Sequence, residues 1–314
     1  MTPPAAKPTI SPNLAGTRLV LAFGLLLAIG ATWGSTYVLA KIVAESGGTP
    51  AGMALLQAVG GGLVLVALGL ARGRLPRLGW RHGGFCAVTG LLGTALPSSV
   101  WFWVAPNLPS GVVAIEAALV PMVTLGITLA LRVEGFEARR VAGIAFGLVA
   151  VGLLTLPETS MPDPAMVPWV LIGLAVPVSY ATENMVLALR RPADLDALTL
   201  LTGMMVMASL MLLPLAWLTD GWWLPWPWTE ESWLFVVFVA INVLSYLGFI
   251  ELIRLAGPVF AAQEGYIITI TGVLWGVALL DERHSGWIWA AVAVMMAGLA
   301  LVNPRATRRP APGR

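Results

Sequence analysis

Four carboxylates lie inside long apolar stretches of this sequence: Glu116, Glu183, Glu251 and Glu264. An ionised group deep in an apolar medium costs at least about 2.5–3.5 kcal/mol, and no Lys or Arg sits deep in these stretches to offset it. Glu251 differs in kind, because Arg254 follows three residues on and an i,i+3 ion pair accounts for it. Glu116, Glu183 and Glu264 each need water, a polar partner or a proton. Such a group can accept a cationic or zwitterionic solute, exchange a proton for it, or simply hydrogen-bond a neighbouring helix.

Helical spacing gathers further polar residues around these acids. Tyr180, Glu183 and Asn184 stand at i, i+3 and i+4, on one helix face. Trp33, Thr36 and Tyr37 repeat that face, as do Asn242, Ser245 and Tyr246, with Thr94 and Ser98 as a shorter version. Thr271 and Trp275 follow Glu264 by seven and eleven residues, keeping its side. Taken singly, each Ser, Thr or Asn fits interhelical hydrogen bonding. As a set they suit a wet cavity with aromatic walls. The candidate residues for substrate binding or coupling are Glu116, Glu264, Glu183, Asn184, Tyr180, Trp33, Tyr37, Thr94, Ser98, Asn242, Tyr246, Thr271 and Trp275. No metal or cofactor is expected: Cys86 is alone, and His82 and His284 do not cluster. The absence of HExxH, GxSxG and GxxxxGK[ST] patterns argues against a membrane enzyme or an ATP-driven pump.

The elements that carry these faces must be membrane helices. The chain is 58% hydrophobic and 11% charged over 314 residues, with a mean hydropathy of +0.85; a soluble domain carries roughly 25% charged residues. Ten apolar stretches near span length are predicted at 18–40, 50–71, 83–105, 110–131, 139–156, 167–189, 196–218, 232–253, 258–280 and 285–303. Continuous apolar runs exclude alternating strands, and helices satisfy their own backbone in lipid. Residues 1–17 are Pro-rich and read as a disordered tail, and 304–314 as a basic tail. Leu19 to Gly30 resembles a signal core, but the apolar run continues to about Ala40 and is taken as the first span.

Sorted by connection, Lys and Arg fall 16 to one side and 2, Lys41 and Arg283, to the other. Positive residues mark the cytoplasmic side, so both termini are expected there and the span count must be even. Pro97, Pro121 and Pro177 fall inside spans and can kink them. The pairs Gly30/Gly34, Gly143/Gly147 and Gly272/Gly276 permit close helix approach, within the chain rather than at a dimer seam. The tryptophans from Trp217 to Trp233 read as an interfacial belt.

The chain also repeats. An offset of 147–148 residues brings Glu116 onto Glu264 and Glu134 onto Glu282, and aligns Glu134 to Gly143 with Glu282 to Ala291 in pattern. Trp33, Thr36 and Tyr37 fall on Tyr180, Glu183 and Asn184, and Thr94 and Ser98 on Asn242 and Tyr246. Five spans per half is an odd number, so the second half must be inverted. Inverted repeats around a midplane site are one basis of alternating access.

The stretch Ala31-Thr-Trp-Gly-Ser-Thr-Tyr-Val-Leu-Ala-Lys41 resembles the first-helix motif of the EamA family, in the drug/metabolite transporter superfamily. Leu131-Arg-Val-Glu134 and Leu280-Asp-Glu-Arg283 resemble that family's Leu-Gly-Glu-Arg turn, with Arg132 and Asp281 where it has Gly. The resemblance covers about 18 to 303. It implies an all-α membrane protein of ten helices in two inverted repeats, at 18–157 and 165–303. It also implies a solute exporter with its cavity between the halves, and helices five and ten at the periphery. The expected partners are a small solute and the plasma (inner) membrane, with no nucleic acid. Proton coupling and the choice between monomer and homodimer stay open. Three buried acids and several aromatics favour an amino acid, another amine-bearing or amphipathic solute, or a drug. A facilitative channel, or a structural or sensory membrane protein, is the alternative.

Overall fold

A computed structural model describes residues 17–73, 79–157, 159–219, 221–222 and 226–302. The two tails, the cations Lys7, Arg74, Arg77, Arg305, Arg308, Arg309 and Arg314, and Trp223 lie outside the described residues. Among the described residues all regular structure is helical. Eight helical segments are long and apolar enough to cross a membrane: α1 Leu19–Glu45, α2 Pro50–Ala71, α3 Trp80–Asn107, α4 Ser110–Ala130, α5 Ala138–Thr155, α6 Pro164–Arg190, α7 Ala197–Leu218 and α8 Glu230–Ala256. Two shorter apolar helices follow, α9 Glu264–Leu280 and α10 Gly286–Val302, of 17 residues each. At about 1.5 Å per residue they reach a little under the bilayer's hydrocarbon thickness. The expected span 258–280 is divided, with a short helical turn at Pro258–Ala261 ahead of α9.

The ends follow from capping chemistry. Thr49 caps α2 by accepting the Gly52 N–H at 3.3 Å, with Pro50 as its first residue. Asp196 caps α7 by accepting the Thr199 N–H at 3.0 Å, and those bonds hold its carboxyl below the usual range. Thr229 and Ser232 form a capping box on α8. The helices α4 and α9 each terminate on a residue of positive φ, Arg132 at 57° and Asp281 at 51°. Glycine meets that conformation without steric cost.

Helix α1 packs on α8 and α9, α6 packs on α3 and α4, and α2 lies on α7, α5 on α10 and α4 on α9. The largest apolar cluster joins α4, α5 and α10 through Met122, Leu154, Ile288 and Met295. The small-residue pairs face other helices of the same chain. A Cβ on Gly34 would stand 3.0 Å from the Ile268 carbonyl of α9, and one on Gly143 would stand 2.8 Å from the Gly298 carbonyl of α10. The ion pair of Glu251 with Arg254 is present, on an exposed face.

Replacing Asp281 or Arg132 by Gly should raise stability by about 1 kcal/mol, the order of the left-handed penalty for a side chain. The midpoint of thermal unfolding in detergent tests this; a lower midpoint for both variants would refute the strain assignment.

Candidate functional site

Five helical segments are interrupted. Helix α1 breaks at Ser35, α4 at Ala118–Leu119, and α6 at Leu174. The short turn before α9 ends at Ala261, three residues before its start, and α3 widens into a π-turn at Leu91–Ala95. Three prolines stand two or three residues beyond a break or bulge: Pro97, Pro121 and Pro177. A proline has no N–H for the fourth carbonyl upstream and its ring crowds that carbonyl. In α3 and α6 this upstream residue is a glycine, Gly93 or Gly173.

These two glycines seat two of the three acids. The carboxyl of Glu183, on α6, occupies the space a Cβ on Gly93 of α3 would fill, and the carboxyl of Glu116, on α4, does the same at Gly173 of α6. Glu116 is 2% exposed and Glu183 8%. Glu264, 3% exposed, opens α9. One carboxyl oxygen of Glu116 and one of Glu264 have no hydrogen-bond partner, and neither does the buried Thr94 hydroxyl. Such orphaned buried acceptors are costly to keep empty. They suit a proton, water or a donor-bearing solute.

An aromatic and polar chain runs alongside. Tyr37 stacks on Trp101 with ring centroids 4.7 Å apart. Tyr180 and Glu183 stand at i and i+3 on α6. Trp33 donates to the Asn242 side-chain oxygen at 3.3 Å and meets Tyr246 edge to face at 6.5 Å. Ser98 is buried in α3. Two expected members have other duties. The Thr271 hydroxyl donates to the Ile267 carbonyl at 2.7 Å and approaches the Gly30 carbonyl at 3.2 Å, while the Trp275 indole donates to the Ala31 carbonyl at 2.9 Å. Both therefore fasten α9 to the broken part of α1. Asn184 is exposed and, with Pro121, Thr124, Phe249 and Ala262, lines a cavity of about 400 Å³ that reaches Glu134 and Arg140.

Sequence reasoning missed Trp101, Gly93, Gly173 and Ser179. The Ser179 hydroxyl donates to the Leu92 carbonyl at 2.7 Å, in the π-turn. The glycine four residues before a proline was a readable signal for two of them. Among the described residues no group of three His, Cys, Asp or Glu could hold a metal ion.

At the opposite end of α4, Glu282 takes the Ser110 N–H at 2.7 Å, the Ser110 hydroxyl at 3.1 Å and the Gly111 N–H at 3.4 Å. His284 stands 3.5 Å from Glu282; burial pushes its imidazole below the ordinary range, against the pull of Glu282. A smaller cavity of about 290 Å³ lies here, lined by Lys41, Pro109, Met166 and Glu282.

The model of the EamA-like transporter family matches residues 20–156 and again 167–303. The chain is 29% identical over 297 residues to the uncharacterized inner membrane transporter YedA of Escherichia coli K12, covering 91% of this chain and 92% of that protein. It is 26% identical over 276 residues to Protein PecM of Dickeya dadantii strain 3937, covering 86% and 88%. A solved crystal structure at 22% identity superposes with a TM-score of 0.60, over 88% of this chain and 94% of that one, and so shares the fold.

Adding a methyl at Gly93 or Gly173 should displace a carboxyl and destabilise the protein by about 1–3 kcal/mol, as overpacking does. Gly126→Ala is the control, since nothing stands within 4 Å of its added carbon. Thermal midpoints for Gly93→Ala and Gly173→Ala equal to that of Gly126→Ala would show that the glycines do not seat the acids.

Proposed function

Because this chain belongs to the EamA-like transporter family, and so is a membrane transporter of the drug/metabolite superfamily, we propose that it exports a small amine-bearing or amphipathic solute by alternating access. The observation that carries this reading is the combination of interrupted helices, buried carboxyls with unpaired oxygens, and a cavity at one end of the bundle. Irregular backbone at membrane depth is tolerated where it is buried in protein or lines a cavity, and in many carriers the broken helices hold the substrate.

Ten membrane helices in two inverted repeats, 18–157 and 165–303, account for the way the helices associate. Moving each helix number by five turns the contacts of α1 with α8 and α9 into those of α6 with α3 and α4. The pairs α2 with α7, α5 with α10 and α4 with α9 each map in the same way or onto themselves. The 16-to-2 division of cations supports cytoplasmic termini, and the relative named as an inner membrane transporter supports that membrane.

Within the site, Glu116, Glu183 and Glu264 are the groups for a substrate amine or a proton. Tyr180, Tyr37, Trp33 and Tyr246 form its aromatic walls. Thr94, Ser98, Asn242 and Asn184 supply neutral hydrogen bonds. Thr271 and Trp275 act by holding α9 against α1. An amine finds counter-charges here, whereas a carboxylate or phosphate finds no deep Lys or Arg. Amino acids and cationic drugs are the solutes that fit, and exchange for a proton would use the same acids. The reading is of a carrier, not an enzyme.

Liposomes holding the protein and loaded with a mixed metabolite extract test this, with mass spectrometry of what emerges. Wild type should release specific amine-bearing solutes, faster under a pH gradient, and Glu116→Gln/Glu264→Gln should abolish the gradient effect. Release of the same solutes by the double variant, with unchanged pH dependence, would remove these acids from the mechanism.

A further inference from the structure

The two ends of the molecule are built from equivalent parts and are in different states. Ser110 begins α4, and the offset of 148 that carries Glu134 onto Glu282 carries Ser110 onto Pro258, the first residue of the turn ahead of α9. At one end Glu282 is docked on the start of α4, with both its oxygens receiving N–H or O–H groups of Ser110 and Gly111. An anionic side chain at a helix N-terminus satisfies free amides and meets the positive end of the helix dipole. The same end is fastened further: Lys41 donates to the Leu108 carbonyl at 2.7 Å, and Ser285 donates to the Ser160 carbonyl at 2.7 Å.

At the other end Glu134 is undocked. It pairs with Arg140 of α5, in its own half. It lines the cavity of about 400 Å³ together with Ala262, which follows the turn Pro258–Ala261. The equivalent of the Ser110 N–H and hydroxyl does not exist there, because proline has neither group.

We propose that Glu282 and Glu134 are alternating latches: Glu282 closes its end by capping α4, and when that end opens Glu134 crosses the cavity to cap the turn before α9. Pro258 makes the second latch weaker than the first, so the resting protein keeps its Glu134 end open. In the orientation given above, that end is cytoplasmic. The inference rests on the alternating-access reading. Each latch is a few hydrogen bonds and one ion–dipole contact, weak enough to exchange. Neither glutamate needs to touch the solute; both act by positioning α4 and α9.

The test follows thiol labelling of the full chain in lipid nanodiscs, in a Cys86→Ala background. A probe at Thr124→Cys reports the Glu134 cavity and one at Met166→Cys the Glu282 cavity. Glu282→Gln should speed labelling at Met166→Cys and slow it at Thr124→Cys by about tenfold, the equivalent of one hydrogen bond to a charged group. Pro258→Ser restores the missing donors, cannot act by deleting a contact of Glu282, and should shift both probes in the same directions. Adding Glu134→Gln to Pro258→Ser should cancel that shift. The proposal is overturned if Pro258→Ser moves neither probe, if its effect survives Glu134→Gln, or if Glu282→Gln moves both probes alike. Labelling needs no solute, so a failure here leaves the transport assay intact, and a missing substrate there leaves this result standing.

Discussion

Inside a bilayer no water takes up a backbone amide or carbonyl, so a helix can be interrupted only where another part of the chain faces the interruption. Much of this structure follows from that constraint. The π-turn of α3 survives because Ser179 of α6 donates to the Leu92 carbonyl. Beside the break in α1 at Ser35, Thr271 and Trp275 of α9 reach the Gly30 and Ala31 carbonyls, the second of which also takes the Ser35 N–H. Of the unbroken helices, α2, α5, α7 and α10 pair with one another, α2 on α7 and α5 on α10, while α8 lies on α1. Irregular helices therefore concentrate where three or more helices meet, which is also where a solute can be surrounded.

The acids obey the same rule through a different device. A carboxyl needs room and a polar wall, and a glycine four residues before a proline supplies both: no side chain fills the groove, and the nearby carbonyl has lost its usual donor. Gly93 with Pro97, and Gly173 with Pro177, provide two such walls, for Glu183 and Glu116. Glu264 instead sits in the first turn of α9, where the positive end of the helix dipole favours negative charge. Three acids of one residue type thus meet two kinds of surroundings.

How far the sequence carried this picture depended on what helical periodicity can encode. Long apolar runs located the eight helices long and apolar enough to cross a membrane among the described residues, and the two shorter apolar ones after them, because burial in lipid writes itself into composition over many residues. The pairing of Glu251 with Arg254 was legible because both partners lie on one turn. Spacing also put Thr271 and Trp275 on the side of Glu264, but could not say which helix that side would meet, and it meets the backbone of α1. Asn184 was grouped with Glu183, yet one residue is about 100° around a helix, enough to turn it toward the cavity of Glu134. Gly93 and Gly173 were passed over because a glycine in an apolar helix has no polar signature; its function is the space it leaves for a residue far away in sequence.

A carrier must also avoid being too well made at either end. Moving a two-state equilibrium from 1:99 to 99:1 takes about 5.5 kcal/mol, so a solute or a proton can reset the molecule only if the closed ends differ by a few hydrogen bonds. A closure built on a large apolar interface would exceed that range at about 25 cal/mol per Å². Here the largest apolar cluster joins α5 and α10 with α4, while the end at Ser110 is joined by Glu282, Lys41 and Ser285 through directional polar bonds. Water competes for such bonds the moment the end parts, which lowers the cost of opening without lowering the stability of the helices themselves. On the alternating-access reading proposed above, apolar contacts that persist and polar contacts that exchange let one sequence be both firmly folded and able to change which side it faces.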